Sequence, residues 1–190
     1  MPGLPRNSDA RLNDDARWLA AAAALAARGL PLSRPNPAVG AIVVRDGVVV
    51  GSGWTQPGGR PHAEAVALAM AGENARGATL YVTLEPCAHE SPRGPACADL
   101  VAAAGLVRVV VGCGDPDPRT AGEGLARTSG ILRPSPECRR SLAGYLSLRR
   151  RGRPHVTLKL ATSLDGAIAM AGVESRLITG AAARAHCHAM

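Results

Sequence analysis

The chain has 190 residues and a mass of 19.4 kDa, the size of one domain or of one domain plus part of a second. Hydrophobic residues make up 46% and charged residues 19%, with both signs present, which excludes a disordered polyampholyte and a membrane protein. Aromatics at 2% leave few rings for stacking bases, while a formal charge of +7 raises the question of a polyanionic partner.

Residues 19–27 form a short apolar run. Asp9, Asp14 and Asp15 stand where a signal peptide would be basic, so the run predicts a helix capped by Asn13 or Asp14 and ending at Gly29. No stretch reaches the ~18–20 apolar residues of a membrane span. Residues 30–37 are a proline-punctuated loop. Residues 39–44 and 48–54 are two apolar runs joined by Asp46-Gly47, which predicts a hairpin. After a loop at 56–61, residues 62–71 predict a helix stopped by Gly72, 78–84 a buried strand, 97–104 a helix stopped by Gly105, and 106–111 another strand. This alternation argues for a layered α/β domain. Asp115-Pro116-Asp117-Pro118 is a loop after a strand, where such folds place ligands. One further helix is expected over 136–148, then a linker at 149–154 rich in arginine, and a new strand over 155–161. The domain boundaries that follow are 10–148, with the linker at 149–154 and a second, incomplete domain at 155–190, too short for its own core.

Chemistry concentrates in His62-Ala63-Glu64, Pro86-Cys87 and Cys97. One imidazole and two thiolates suit tetrahedral zinc with its fourth position left for water, the pattern of a catalytic rather than a structural site. Residues two apart on a helix face different sides, so Glu64 belongs beside the water, not on the ion. A hydrolytic deaminase needs this set: an activated water, an amino-bearing ring carbon, and a carboxylate that passes a proton to leaving ammonia. Pro86 at a first helical position would put Cys87 at a helix N-terminus, where thiolate is favoured. Cys113, Cys138 and Cys187 lack such partners and read as core or incidental residues. A spacing of two also argues against His186 and His188 as a metal pair. An odd number of cysteines in a chain of this size fits a reduced, cytoplasmic setting.

Four stretches carry a resemblance: 35–40 (PNPAVG), 58–64 (GGRPHAE), 81–89 (YVTLEPCAH) and 115–118 (DPDP). With them the chain resembles, almost continuously over 14–190, the bifunctional riboflavin-biosynthesis deaminase/reductase family. The resemblance implies a three-layer α/β/α cytidine-deaminase-like fold with a mixed sheet, followed by a truncated dihydrofolate-reductase-like segment. It implies hydrolytic deamination of a phosphoribosylated diaminopyrimidine, with zinc on His62, Cys87 and Cys97 and Glu64 as the proton shuttle. Asn36, His89 and Arg93 match or approach substrate positions. In the second segment Ser175 matches a substrate contact, Ala161 an NADP contact, and Leu177 stands where the family has Trp beside the cofactor. NADPH would be used only by a complete reductase domain, so no reductase activity is expected of this chain alone. Nine residues separate Cys87 from Cys97, one more than the family pattern; loop insertions cost little.

Two rival functions stay open. A tRNA adenosine deaminase would fit the basic charge, but such enzymes show Pro-Cys-x-x-Cys, and aromatics for RNA stacking are scarce. A non-catalytic zinc-binding remnant is the other. Six arginines fall within residues 139–153 with no acid between them. That places the charge excess at a solvated helix end and linker and not on a nucleic-acid surface. The partner expected is a small molecule, with no nucleic acid and no membrane; a homo-oligomer is compatible with the sequence.

Overall fold

A computed structural model describes residues 8–169 and 177–188. The chain divides into two units, Met1–His155 and Val156–Met190. In the first, a helix α1 (Ser8–Ala26) precedes the hairpin β1 (Gly40–Arg45) and β2 (Val48–Trp54), followed by α2 (Ala63–Ala71), β3 (Thr79–Val82), α3 (Cys97–Ala103) and β4 (Arg108–Val111). Then come α4 (Glu123–Thr128), β5 (Ile131–Leu132), α5 (Pro136–Ser141) and α6 (Ala143–Arg151). The five strands form one sheet in the order β2-β1-β3-β4-β5. β1 is antiparallel to β2 and β3, whereas β3, β4 and β5 run parallel, so the expected mixed sheet is present.

Strand alternation distributes the core to two faces. Ala41, Val43, Leu80, Val82, Val109 and Val111 point to a layer holding α2 and Val101 of α3. Ile42, Val44, Tyr81 and Val110 point the other way, to Leu19, Ala22 and Ala23 of α1 and to Cys138 of α5. Both faces being covered, the strands read as nearly continuous apolar runs. On α1 the buried positions Leu19, Ala22, Ala23 and Ala26 recur at the spacing of one helical face. At the hairpin, Asp46 and Gly47 take φ of 51° and 80°, the left-handed pair that a tight two-residue connection requires.

Three local expectations need correction. α1 begins at Ser8, so Asn13 and Asp14 lie inside it and cap nothing; the residues before them simply continue the helix. The single helix expected over 136–148 is two, broken at Leu142 (φ −101°, ψ 8°). Cys138 packs on the α1 face while Leu142 and Leu146 pack on the α2 face, and the break lets the chain change layers. The arginine-rich linker is in part helical, since α6 runs on to Arg151 and stops at the left-handed Gly152, with three arginines in a last turn whose dipole favours them. The short α4 and β5 were not foreseen.

In the second unit the described residues contain one helix, α7 (Ala181–His188), and no strand. The strand expected over 155–161 is absent. Val156, Leu158 and Leu160 are 80%, 78% and 61% exposed; no described strand lies beside them, and an unpaired strand leaves its backbone groups unsatisfied. No helix among the described residues is long and apolar enough to cross a membrane.

Candidate metal centre and substrate cleft

The C-terminal ends of parallel strands β3 and β4 open onto one cleft of about 250 Å³, the usual place for ligands in an open α/β sheet. The segment following β3 brings Glu85 and Cys87, the loop following β4 brings Asp115 and Asp117, and the N-terminus of α2 brings His62 and Glu64. His62 occupies the extended position just before α2 and Glu64 its first turn. α2 reaches this depth because β2 presents Gly53 beneath it: a Cβ there would stand 2.4 Å from the Ala63 carbonyl oxygen.

His62, Cys87 and Cys97 converge, with one donor atom of each lying within 4.8 Å of the others. His62 Nδ1 is 3.2 Å from Cys97 Sγ and 3.6 Å from Cys87 Sγ. Zinc bonds of about 2.0–2.3 Å in tetrahedral geometry separate donor atoms by roughly 3.3–3.8 Å, so one borderline ion fits this donor set. Cys87 is not at the start of its own helix, contrary to expectation: the residues after Pro86 are irregular, and Cys97 is the first residue of α3. The helix N-terminus serves Cys87 through space instead, because the Cys97 N–H donates to Cys87 Sγ at 3.3 Å. Hydrogen bonding from Cys97 favours the Cys87 thiolate against the effect of burial. Interaction with the Cys87 side chain, together with burial, pushes the Cys97 thiol up.

Glu64 is 3% exposed. Burial pushes its carboxyl up to about 7, with His62 opposing. A carboxyl so placed holds or releases a proton near neutrality, the property required of a general acid/base. Asn36 adjoins the imidazole: its amide nitrogen lies 2.9 Å from His62 Nε2 and donates to the Gly59 carbonyl at 2.8 Å. His89 lines the cleft with Nδ1 3.3 Å from Thr120 Oγ1. Arg93 lines it too, and donates to the Gly58 carbonyl at 2.7 Å. Arg60 returns the contact by donating to the Pro95 carbonyl at 3.1 Å. The two arginines thus stitch together the loops that lead into His62 and into Cys97. The long Cys87–Cys97 loop closes on itself, Ser91 and Gly94 exchanging backbone hydrogen bonds at 3.0 and 3.3 Å.

Several cleft residues were not assigned from the sequence. Arg119 grips Asp117 through Nε and Nη2 at 3.0 and 2.7 Å, and Arg149 reaches the same carboxylate at 3.2 Å. The Arg119 hydrogen bonds hold the Asp117 carboxyl well below the usual carboxylate range. Tyr145 donates to Asp115 Oδ1 at 2.6 Å; burial raises Asp115, with that hydrogen bond opposing. Arg149, expected from its basic run to be solvated, instead faces the cleft. Asp115 and Asp117 stood in a loop already expected to meet ligands; Tyr145 and Arg149, four residues apart on one helix, carried no such sign. Of the second-unit residues, Ala161 is partly exposed and Leu177 is 73% exposed, while Ser175 lies outside the described residues. Among the described residues, His186 and His188 join no metal-binding group.

A layered mixed sheet, a His/Cys/Cys donor set and a buried glutamate at strand ends define a zinc-binding deaminase fold. Residues 12–113 match the family model for the cytidine and deoxycytidylate deaminase zinc-binding region, and the chain belongs to that family. Within it, the chain is 47% identical over 178 residues to the riboflavin biosynthesis protein RibD of Escherichia coli (strain K12), covering 90% of this chain and 48% of that protein. The solved structure of Acinetobacter baumannii RibD, form 1, matches with a TM-score of 0.77 at 43% identity, over 94% of this chain and 51% of that one. A deaminase/reductase from Thermotoga maritima matches with a TM-score of 0.81 at 34% identity, over 94% of this chain and 53% of that one. The chain spans about half the length of the relatives it matches.

Proposed function

We propose that this chain catalyses the zinc-dependent hydrolytic deamination of 2,5-diamino-6-(5-phosphoribosylamino)pyrimidin-4(3H)-one to 5-amino-6-(5-phosphoribosylamino)uracil and ammonia in riboflavin biosynthesis. The observation that carries it is the buried Glu64 carboxyl beside a converged His62/Cys87/Cys97 set, in a chain whose relatives are RibD proteins. Zinc held by these three residues would lower the pKa of water towards 7 and supply a nucleophile at neutral pH. Glu64 takes up the proton of the attacking water and delivers it to the departing amino group. Asn36, His89 and Arg93 orient the pyrimidine and its phosphoribosyl arm from the cleft walls. The arginines at the rim suit a phosphomonoester, for which guanidinium is a preferred partner.

The rival functions have less support. The nine-residue loop between the cysteines departs from the short spacing of tRNA deaminases, and the intact Glu64 and donor set speak against a remnant without turnover. The five free cysteines suit a reducing, cytoplasmic setting. The reductase step is not part of this proposal, since NADPH would be used only by a complete reductase domain; the described part of Val156–Met190 holds one helix and no strand.

Elemental analysis with an ammonia-release assay on the diaminopyrimidine phosphate tests the reading. Wild type is expected to hold one zinc per chain and to release ammonia. Glu64→Gln should keep the zinc and lose roughly 10²–10⁴-fold in rate. A wild type without zinc, or an equally active Glu64→Gln, would overturn it.

A further inference from the structure

Glu85 belongs neither to the metal set nor to the residues assigned to substrate. It is 3% exposed and lines the cleft. Its carboxylate is engaged from two sides: Oε2 accepts the Asp115 N–H at 3.1 Å and Oε1 the Leu125 N–H at 3.1 Å. Its own N–H donates to the Cys113 carbonyl at 2.9 Å. Two segments 30 and 40 residues further along therefore meet the stretch ending in Cys87 at one side chain: the loop bearing Asp115 and Asp117, and the first turn of α4. The fit is close, since a Cβ on Gly124 would stand 2.0 Å from the Pro86 carbonyl oxygen and 3.0 Å from Glu85 Cγ. Hydrogen bonds to a charged acceptor are the stronger kind, and a buried carboxylate deprived of them is costly.

We propose that Glu85 is a positioning residue, which ties the cleft wall formed by Asp115 and Asp117 to the backbone that presents Cys87, so that substrate is held in register with the metal centre. The inference rests on the deaminase reading for its kinetic part only. Both carboxylate oxygens hold backbone amides in place, so Glu85 acts through the loop and not by moving a proton. Its loss should therefore weaken substrate binding more than it slows the chemical step.

The test combines amide hydrogen exchange with kinetics on the full chain. In Glu85→Gln the carboxamide keeps a single acceptor oxygen, so exchange at Asp115 or Leu125 should accelerate about tenfold or more, the effect of one lost bond to a charged acceptor. Zinc content should match wild type, KM for the diaminopyrimidine phosphate should rise about tenfold, and kcat and the shape of the pH profile should hold. Glu85→Asp, which keeps the charge on a shorter arm, should shift exchange and KM the same way, and serves if the glutamine variant does not fold. Unchanged exchange at both amides, released amides with an unchanged KM, or a lost limb of the pH profile would each overturn the proposal. A wild-type chain that releases no ammonia would sink the deaminase reading instead, while the exchange arm still tests the tie.

Discussion

Two of the cleft's arginines converge on Asp117, which holds Arg119 bidentately and Arg149 on its second oxygen. Its carboxyl is held well below the usual range by Arg119, so the folded state binds its proton more weakly than the unfolded chain does. Stability from this group is present above about pH 4, the ordinary aspartate value, and is lost as pH falls below it. Thermal unfolding followed from pH 6 to pH 3 should therefore show a loss in wild type that is reduced in Asp117→Asn. At pH 7 that substitution should lower Tm by roughly 2–4 °C, the equivalent of about 1 kcal/mol in a chain of this size. It should also raise KM, because Arg119 and Arg149 are no longer held at the rim. An identical acid limb in both proteins would show that the clasp contributes nothing. At this scale the sequence was informative where residue type alone dictates chemistry. Imidazole, thiolates and a carboxylate announced His62, Cys87, Cys97 and Glu64, whereas Tyr145 and Arg149 gained meaning only from what they touch.

Elements place these residues through backbone contact. α2 carries His62 at its start and Glu64 in its first turn, and it lies against Gly53, where a methyl group would press on the Ala63 carbonyl and the Ala67 amide at 2.4 and 2.7 Å. Gly53→Ala should cost about 1–3 kcal/mol, as overpacking does. By displacing the first turn of α2 it should also weaken zinc retention in a chelator competition more than a substitution of similar cost on the α1 face. Equal zinc retention in the two variants would show that the close approach is only structural. The hairpin at Asp46-Gly47 and the apolar runs of β1, β2, β3 and β4 were legible because turn chemistry and alternation are local. The break at Leu142 was not, because both halves are good helix and the reason to stop lies in the two separate layers that Cys138 and Leu142 must fill. β5, two residues long, has no periodicity to read; it exists because Val110 and Val111 offer it partners.

At the scale of the whole molecule, the core spans both faces of one sheet, and among the described residues its members all lie within Met1–His155. A chain ending at His155 is expected to keep its Tm within about 3 °C of the full chain, a difference of roughly 1 kcal/mol, and to keep its zinc and any ammonia release. A large drop in Tm would mean that the following residues complete the domain. The full chain with NADPH and the deaminated product should show no cofactor oxidation at 340 nm, and measurable oxidation would refute the restriction to deamination. By itself the sequence determined the layered α/β class, the hairpin, and the residues proposed here as metal donors and proton carrier, because spacing, turn residues and ligand chemistry are properties of short segments. Only the tertiary structure decided that Cys87 receives its helix-end hydrogen bond from the neighbouring α3, and that Glu85 joins segments 30 and 40 residues apart. It also drew Arg149 out of the basic run to the cleft. Each of these is a contact between residues remote in sequence, fixed by how the sheet brings strand ends together and left unmarked by any local pattern.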